Sequence, residues 1–272
     1  MRKLGINFDA YAGLSHEEYA KKIAELGFEA TFTGVYKTVE EQAEVADILA
    51  RYGIAYETIH APFRNYTNHL WLDCEEGDMM LSTLKNCIDR CKLVGAPIAV
   101  VHLSSGEQPP PVTDIGRARF TSLVEHAARN GVTVAFENQR KLSNLAWALE
   151  TFSAEDSVGF CYDCGHEACY TPGREYMPLF GKQVVCLHIH DNTAVYNEDC
   201  HMIPFDGKIN FYRFAEHLRN SGFDGTLMLE IANNKAKKLY NNPIYDDLTA
   251  DEYLFRAANA VKKLRELVDP ES

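Results

Sequence analysis

Residues 184–210 read VVCLHIHDNTAVYNEDCHMIPFDGKIN. An apolar run of strand length sets His188 and His190 two residues apart, on one side of an extended chain, and ends on Asp191 and Asn192. The loop behind it brings Asp199 and His201, then the turn-forming Phe205-Asp206-Gly207. Imidazoles and carboxylates gathered where a strand meets its loop read as a site. One such histidine alone would read as a hydrogen-bonded core residue, so the reading rests on whether the pattern recurs.

It recurs throughout the chain. Strand-like runs cover residues 3–9, 30–35, 54–60, 98–103, 132–137, 158–163, 184–190 and 226–231. Between them, residues 16–26, 39–52, 78–94, 115–129, 144–152 and 212–220 have helical apolar spacing, and 250–268 closes the chain as an amphipathic helix. Gly27, Gly53, Gly95 and Gly131 stop four of these helices. Eight strands alternating with helices predict an α/β protein, a parallel (β/α)₈ TIM barrel with residues 1–272 as its one domain. Barrels reach this length as one unit. An open doubly wound sheet would want a G-x-G-x-x-G or P-loop after an early strand, and the chain has neither.

Composition narrows the partners. Lys and Arg number 27 against 39 Asp and Glu, a net charge of -12. That balance repels a polyanion, so no nucleic acid is expected and a small neutral or metal-bridged substrate is the easier partner. The one basic cluster, Lys235 to Lys238 near Tyr240 and Tyr245, reads as a solvated loop or a phosphate contact. The start, MRKLGINFDAY, lacks the apolar core of a signal peptide, and no run of about eighteen apolar residues suits a membrane span. The eight cysteines sit mostly where strands and helices are buried. Cys161 and Cys164 form a C-x-x-C without the second pair that a zinc or redox site wants. These features place the protein in the cytoplasm, with homo-oligomerisation left open.

The polar residues fall at one end of this frame. His60, His102, Glu137, Asp163, His188 and Glu230 each lie at or beside the C-terminal end of a strand, where barrel enzymes assemble their sites. Imidazole nitrogen and carboxylate oxygen suit Mn²⁺, Zn²⁺, Co²⁺ or Fe²⁺, and the oxygen-rich subset accepts Mg²⁺. The alternative is that Glu137 and Glu230 form buried ion pairs. A buried carboxylate needs a partner, and few basic residues flank these strands.

IHAPF, VVHLSSG, AFENQ, YDCGH, HIHDN, DCH and LMLEI, in this order and spacing, resemble the xylose isomerase-like barrel superfamily over nearly the whole chain. That superfamily includes sugar phosphate isomerases and epimerases, ketose 3-epimerases, inosose dehydratases and endonuclease IV. In the isomerase and epimerase branch the resemblance implies one divalent ion held by Glu137, Asp163, His188 and Glu230, with the two glutamates moving protons across the substrate. In the endonuclease branch it implies a multi-zinc cluster that adds His60, His102, His166, Asp199 and His201; His190 is a further candidate for metal or substrate. The acidic balance weighs against that branch, as does PFDGKINF where endonucleases carry a glycine-rich segment. Small-sugar members commonly have Pro-Gly before an acidic residue here, whereas this chain has Pro204-Phe205-Asp206-Gly207.

The chemistry expected is isomerisation or epimerisation of a sugar or sugar phosphate. A divalent ion polarises the carbonyl and acidifies the adjacent C–H, a carboxylate removes that proton, and a metal-bound cis-enediolate is reprotonated. Glu137 and Glu230 are the expected base and acid, with His166 and His188 orienting oxygens. Phe8, Phe63, Tyr66 and Trp71 are read as pocket walls or as core and lid packing. An inosose-type dehydratase and an endonuclease IV-like phosphodiester hydrolase remain as alternatives.

Overall fold

The computed structural model describes residues 1–63, 66–233 and 243–270. Its strands are β1 (Leu4–Asn7), β2 (Ala30–Gly34), β3 (Ala55–His60), β4 (Ile98–His102), β5 (Thr133–Glu137), β6 (Val158–Asp163), β7 (Val184–His188) and β8 (Leu227–Leu229). They form one sheet in the order β7-β6-β5-β4-β3-β2-β1-β8, and every register determined is parallel. Ile189, just past β7, donates to the Met228 carbonyl at 2.9 Å and accepts from the Glu230 N–H at 3.0 Å. These bonds join the two ends of the strand order, and the fold is the (β/α)₈ TIM barrel that the alternation predicts.

Helices α1 (His16–Glu25), α2 (Val39–Arg51), α3 (Glu75–Val94), α4 (Asp114–Asn130), α5 (Leu142–Thr151), α6 (Cys164–Tyr170), α7 (Met177–Phe180), α8 (Phe211–Ser221) and α9 (Ala250–Val268) connect the strands. Their ends follow local chemistry. Ser15 with Glu18, and Thr249 with Glu252, form capping boxes that satisfy the first amides of α1 and α9. The Thr113 hydroxyl caps α4, which Gly131 closes in the left-handed conformation at φ 68°.

By internal contacts the chain divides into two compact units. The first comprises Met1–Phe32, Val45–Ala55 and Tyr162–Ser272. Its core sets Ile6, Leu227 and Leu229 of the sheet with Ile23, Phe211, Leu218, Tyr253, Val261 and Leu264 from the helices, all essentially buried. The second comprises Thr33–Glu44 and Tyr56–Cys161. Val100, Val134 and Phe136 are buried there with Leu84, Ile88, Phe120, Leu123 and Ala127.

Several expectations change. Between β3 and α3, where the sequence pattern gives neither strand nor helix, Thr67–Trp71 makes a 3₁₀ turn. Buried Arg119 holds that turn by donating to the carbonyls of His69, Leu70, Leu72 and Cys74 and to Asp78. Trp71 is core: its ring meets Phe120 and Trp147, and its Nε1–H donates to Leu103 O at 2.6 Å. Phe8 is buried edge-on to Tyr19, while Phe63 and Tyr66 stay exposed. Helix α3 starts three residues early, its first turn acidic as the helix dipole favours. Helices α6 and α7 were not anticipated. Lys235 to Lys238 and Tyr240 lie outside the described residues, and Tyr245 is buried. Among the described residues no disulfide forms, and no helix is long and apolar enough to cross a membrane.

Gly116 offers a test of the packing around Trp71. A Cβ built there would lie 2.0 Å from the indole. Glycine to alanine in a helix ordinarily stabilises by about 0.5–1 kcal/mol. Here overpacking reverses the sign, and Gly116→Ala should lower stability by about 1–3 kcal/mol, read as an earlier urea unfolding midpoint.

Candidate active site

In the second unit, β3, β4 and β5 end on His60, His102 and Glu137, all buried. His60 Nδ1 lies 2.8 Å from the Ala61 carbonyl, to which it donates, so in the neutral ring Nε2 carries a lone pair. That nitrogen faces Glu137 Oε2 at 3.4 Å. The same oxygen makes a very short contact with His102 Nε2, and the Gln139 amide nitrogen lies 3.2 Å from that nitrogen. The imidazoles cross edge-on with centroids 4.9 Å apart, and Phe63 lies against His102 at 4.4 Å.

In the first unit the strand ends carry Asp163 and His188, and Glu230 stands one residue beyond β8. His188 Nδ1 is 3.4 Å from Glu230 Oε2, and its ring stacks on Phe32 at 4.6 Å. Asp163 caps α6 by accepting the His166 N–H at 2.6 Å, which turns the chain sharply and brings His166 back beside it. One ligand atom from each of His166, His190, Asp199 and His201 lies within 4.8 Å of the others. Asp199 Oδ2 is 3.4 Å from His166 Nε2 and 3.1 Å from His201 Nε2, and accepts from Tyr170 at 3.0 Å. His190 and His201 stack in parallel at 4.0 Å.

Charge in this cluster is tightly coupled. Burial pushes the Asp199 carboxyl up, but His201 and His166 outweigh it and hold the group well below the usual carboxylate range. Burial alone would lower His190, and the Asp163 and Asp199 carboxylates overcome it and carry the ring to about 9. His190 Nε2 lies 3.2 Å from Asp163 Oδ1 and 3.7 Å from Asp199 Oδ1, and that buried Asp199 oxygen makes no hydrogen bond among the described residues. His201 Nδ1 donates to Glu230 O at 2.8 Å, so in the neutral ring its Nε2 lone pair points at Asp199. Acceptor facing buried acceptor calls for a proton or a cation between them. Mixed nitrogen and oxygen donors fit Mn²⁺, Zn²⁺ or Co²⁺.

The loop carrying Asp199 and His201 hangs on Asp191. Its carboxylate accepts backbone N–H groups of Asn192, Phe205, Gly207 and Ile209 at 2.8–3.0 Å. Asp191 and Met202 also exchange backbone bonds at 2.8 Å. To meet Asp191, Phe205 adopts φ 74°, a conformation glycine takes freely and phenylalanine at a cost. Its ring packs on Phe211 at 5.0 Å and under the Lys263 ammonium at 4.0 Å. The departure from Pro-Gly thus places a packed side chain at a left-handed position.

Sequence reasoning missed the supporting residues. Asp191 was read only as the end of a strand, and Gln139 and Asn7 were passed over. The Glu137-Asn138-Gln139 run at the end of β5 signals Gln139. A polar Asn7 inside an apolar first strand is the equivalent signal for that residue.

Comparison with known proteins follows the geometry. An uncharacterised protein of Methanocaldococcus jannaschii is 24% identical over 255 residues, 85% of this chain and 84% of its own length. Among solved structures, D-psicose 3-epimerase from Clostridium cellulolyticum H10 has a TM-score of 0.79 at 14% identity, covering 98% of this chain and 99% of that one. The 3-keto-D-glucoside 4-epimerase of E. coli gives 0.73 at 17%, covering 97% and 99%. At these identities the structural likeness speaks for the fold. The xylose isomerase-like TIM barrel model matches residues 20–252, and the chain belongs to that family.

Proposed function

We propose that the protein is a divalent-metal-dependent sugar isomerase or epimerase, with residues 1–272 acting as one barrel domain. One observation carries the reading: β5, β6 and β7 end on Glu137, Asp163 and His188, and Glu230 follows β8 directly. Four successive strands thus present a carboxylate, a carboxylate, an imidazole and a carboxylate at the rim where barrels do chemistry. Sugar epimerases share the fold over nearly their full length. In this proposal Glu137, Asp163, His188 and Glu230 hold the ion. When bound, such an ion polarises a sugar carbonyl and acidifies the adjacent C–H.

The chain's own residues then move the proton. Glu230, its side chain 16% exposed, is a carboxylate that substrate can reach in the first unit, with His188 and His201 beside it. It removes the proton next to the carbonyl, becoming the carboxylic acid and leaving a cis-enediolate with its negative charge on the former carbonyl oxygen. Glu137, with His60 and His102 on one of its oxygens, is the second proton carrier. Protonation of the original carbon from the opposite face gives the epimer. Protonation of the neighbouring carbon gives the isomer.

A second reading, a phosphodiester hydrolase with a multi-metal site, is favoured by one observation, the convergence of His166, His190, Asp199 and His201. Elemental analysis of protein purified without chelator separates the two. About one ion per chain supports the sugar reading, and two to three zinc ions support the hydrolase.

With Mn²⁺ supplied, NMR of D-psicose, D-tagatose and L-ribulose should reveal conversion to an epimer or isomer, lost after EDTA and restored by Mn²⁺ or Co²⁺. Absence of conversion of every ketose and aldose tried, with abasic-site DNA cleaved instead, overturns the proposal. Glu230→Gln should lower kcat by about 10²–10⁴-fold while the far-ultraviolet circular dichroism stays that of the wild type. Activity retained in that variant removes Glu230 from the proton-transfer role.

A further inference from the structure

We infer that Asn7 is a positioning residue that fixes Glu230 by serving as an extra rung of the β1–β8 ladder. The main-chain register between these strands is Leu4 with Leu227, Gly5 with Met228 and Ile6 with Leu229. It stops one residue short of Glu230. There the Asn7 side chain takes over. Its Nδ2 donates to the Ile231 carbonyl at 3.0 Å, and its Oδ1 accepts the Ile231 N–H at 3.0 Å. A carboxamide has one donor edge and one acceptor edge, and this one meets both main-chain groups of a single residue as a neighbouring strand would.

The amide is itself immobilised. It is 2% exposed, and its second N–H donates to Asp9 Oδ1 at 2.8 Å. The Tyr19 hydroxyl holds the Asn7 main chain by donating to its carbonyl at 2.9 Å. Both the donor and acceptor edges are engaged, so the amide has one orientation and a carboxylate does not replace it. An aspartate would set an oxygen against the Ile231 carbonyl and the Asp9 carboxylate.

Glu230 is otherwise held by its own N–H on Ile189 and by His201 on its carbonyl. Both partners belong to the β7 end and its loop. Asn7 is the anchor from β1, the opposite neighbour of β8 in the sheet. With it in place the backbone at Glu230 is gripped from both sides, which sets the carboxylate direction before any ligand arrives. Such preorganisation is what a ligand and proton carrier needs.

The inference rests on the proposed role of Glu230, and the test separates the two. Mn²⁺ binding to chelator-stripped protein is followed by electron paramagnetic resonance of the free ion for wild type, Asn7→Ala and Asn7→Asp, with thermal unfolding recorded for each. Ser15→Ala, which removes the α1 cap far along the sequence from Glu230, controls for lost stability alone. The Asn7 variants should bind Mn²⁺ about 10–100-fold more weakly while Ser15→Ala binds as wild type. On a ketose turned over by the wild type, kcat should fall more than KM changes.

Folded Asn7 variants with wild-type Mn²⁺ affinity overturn the inference and leave the proposed function standing. A wild type that takes up no Mn²⁺ sinks both. If neither Asn7 variant folds, Asn7→Ser, polar but too short to reach both main-chain groups of Ile231, takes their place, and unchanged Mn²⁺ affinity in that folded variant also overturns the inference.

Discussion

Carboxylates taken out of water must be compensated, and the rim of this barrel compensates neighbouring ones by opposite means. Asp191 receives four backbone N–H groups, fixed dipoles that cost nothing further to keep in place. Asp163 and Asp199 face mainly imidazoles, side chains that can carry a proton or hold a cation. The first arrangement makes a structural pin, and the second a place where charge can be exchanged. Three aspartates within 37 positions therefore do different work, set by what surrounds them.

The pin governs the rest of the loop. Asp191 draws in residues 205–209, which obliges Phe205 into a left-handed conformation and brings Asp206 to the Tyr245 hydroxyl at 2.8 Å. Tyr245 in turn receives the Ile203 N–H at 2.8 Å. Asp199 and His201 thus sit in a loop tied at several points, and their geometry is inherited from main-chain bonds. In the second unit Arg119 does comparable work, since one guanidinium gathers carbonyls from a turn that has too few internal bonds of its own.

Most of the fold was legible because buried parallel strands read as apolar runs and their helices as amphipathic ones. Strand ends were read long at β7 and β8, since His190 and Ile231 remain buried beyond the last ladder rung and periodicity cannot see where main-chain pairing stops. Helices α6 and α7 escaped because they are short, and the first is started by the same Asp163 that reads as a ligand. His60, His102, Glu137, Asp163, His188 and Glu230 were visible as a set because each lies at or directly after the end of a strand. Asn7 and the amides around Asp191 were not, because their role lies in hydrogen bonds between segments far apart in the sequence.

Gly165 and His190 show what this crowding means for how such a chain can vary. A Cβ on Gly165 would lie 1.8 Å from the His190 ring, so the imidazole occupies the volume that any other residue at 165 would claim. The two positions share one allotment of space. In a lineage they must change together, a larger residue at 165 being compatible only with a smaller or redirected one at 190. The glycine, which carries no chemistry, therefore records the presence of the histidine, and covariation between 165 and 190 among relatives would sort those that keep this imidazole from those that have replaced it.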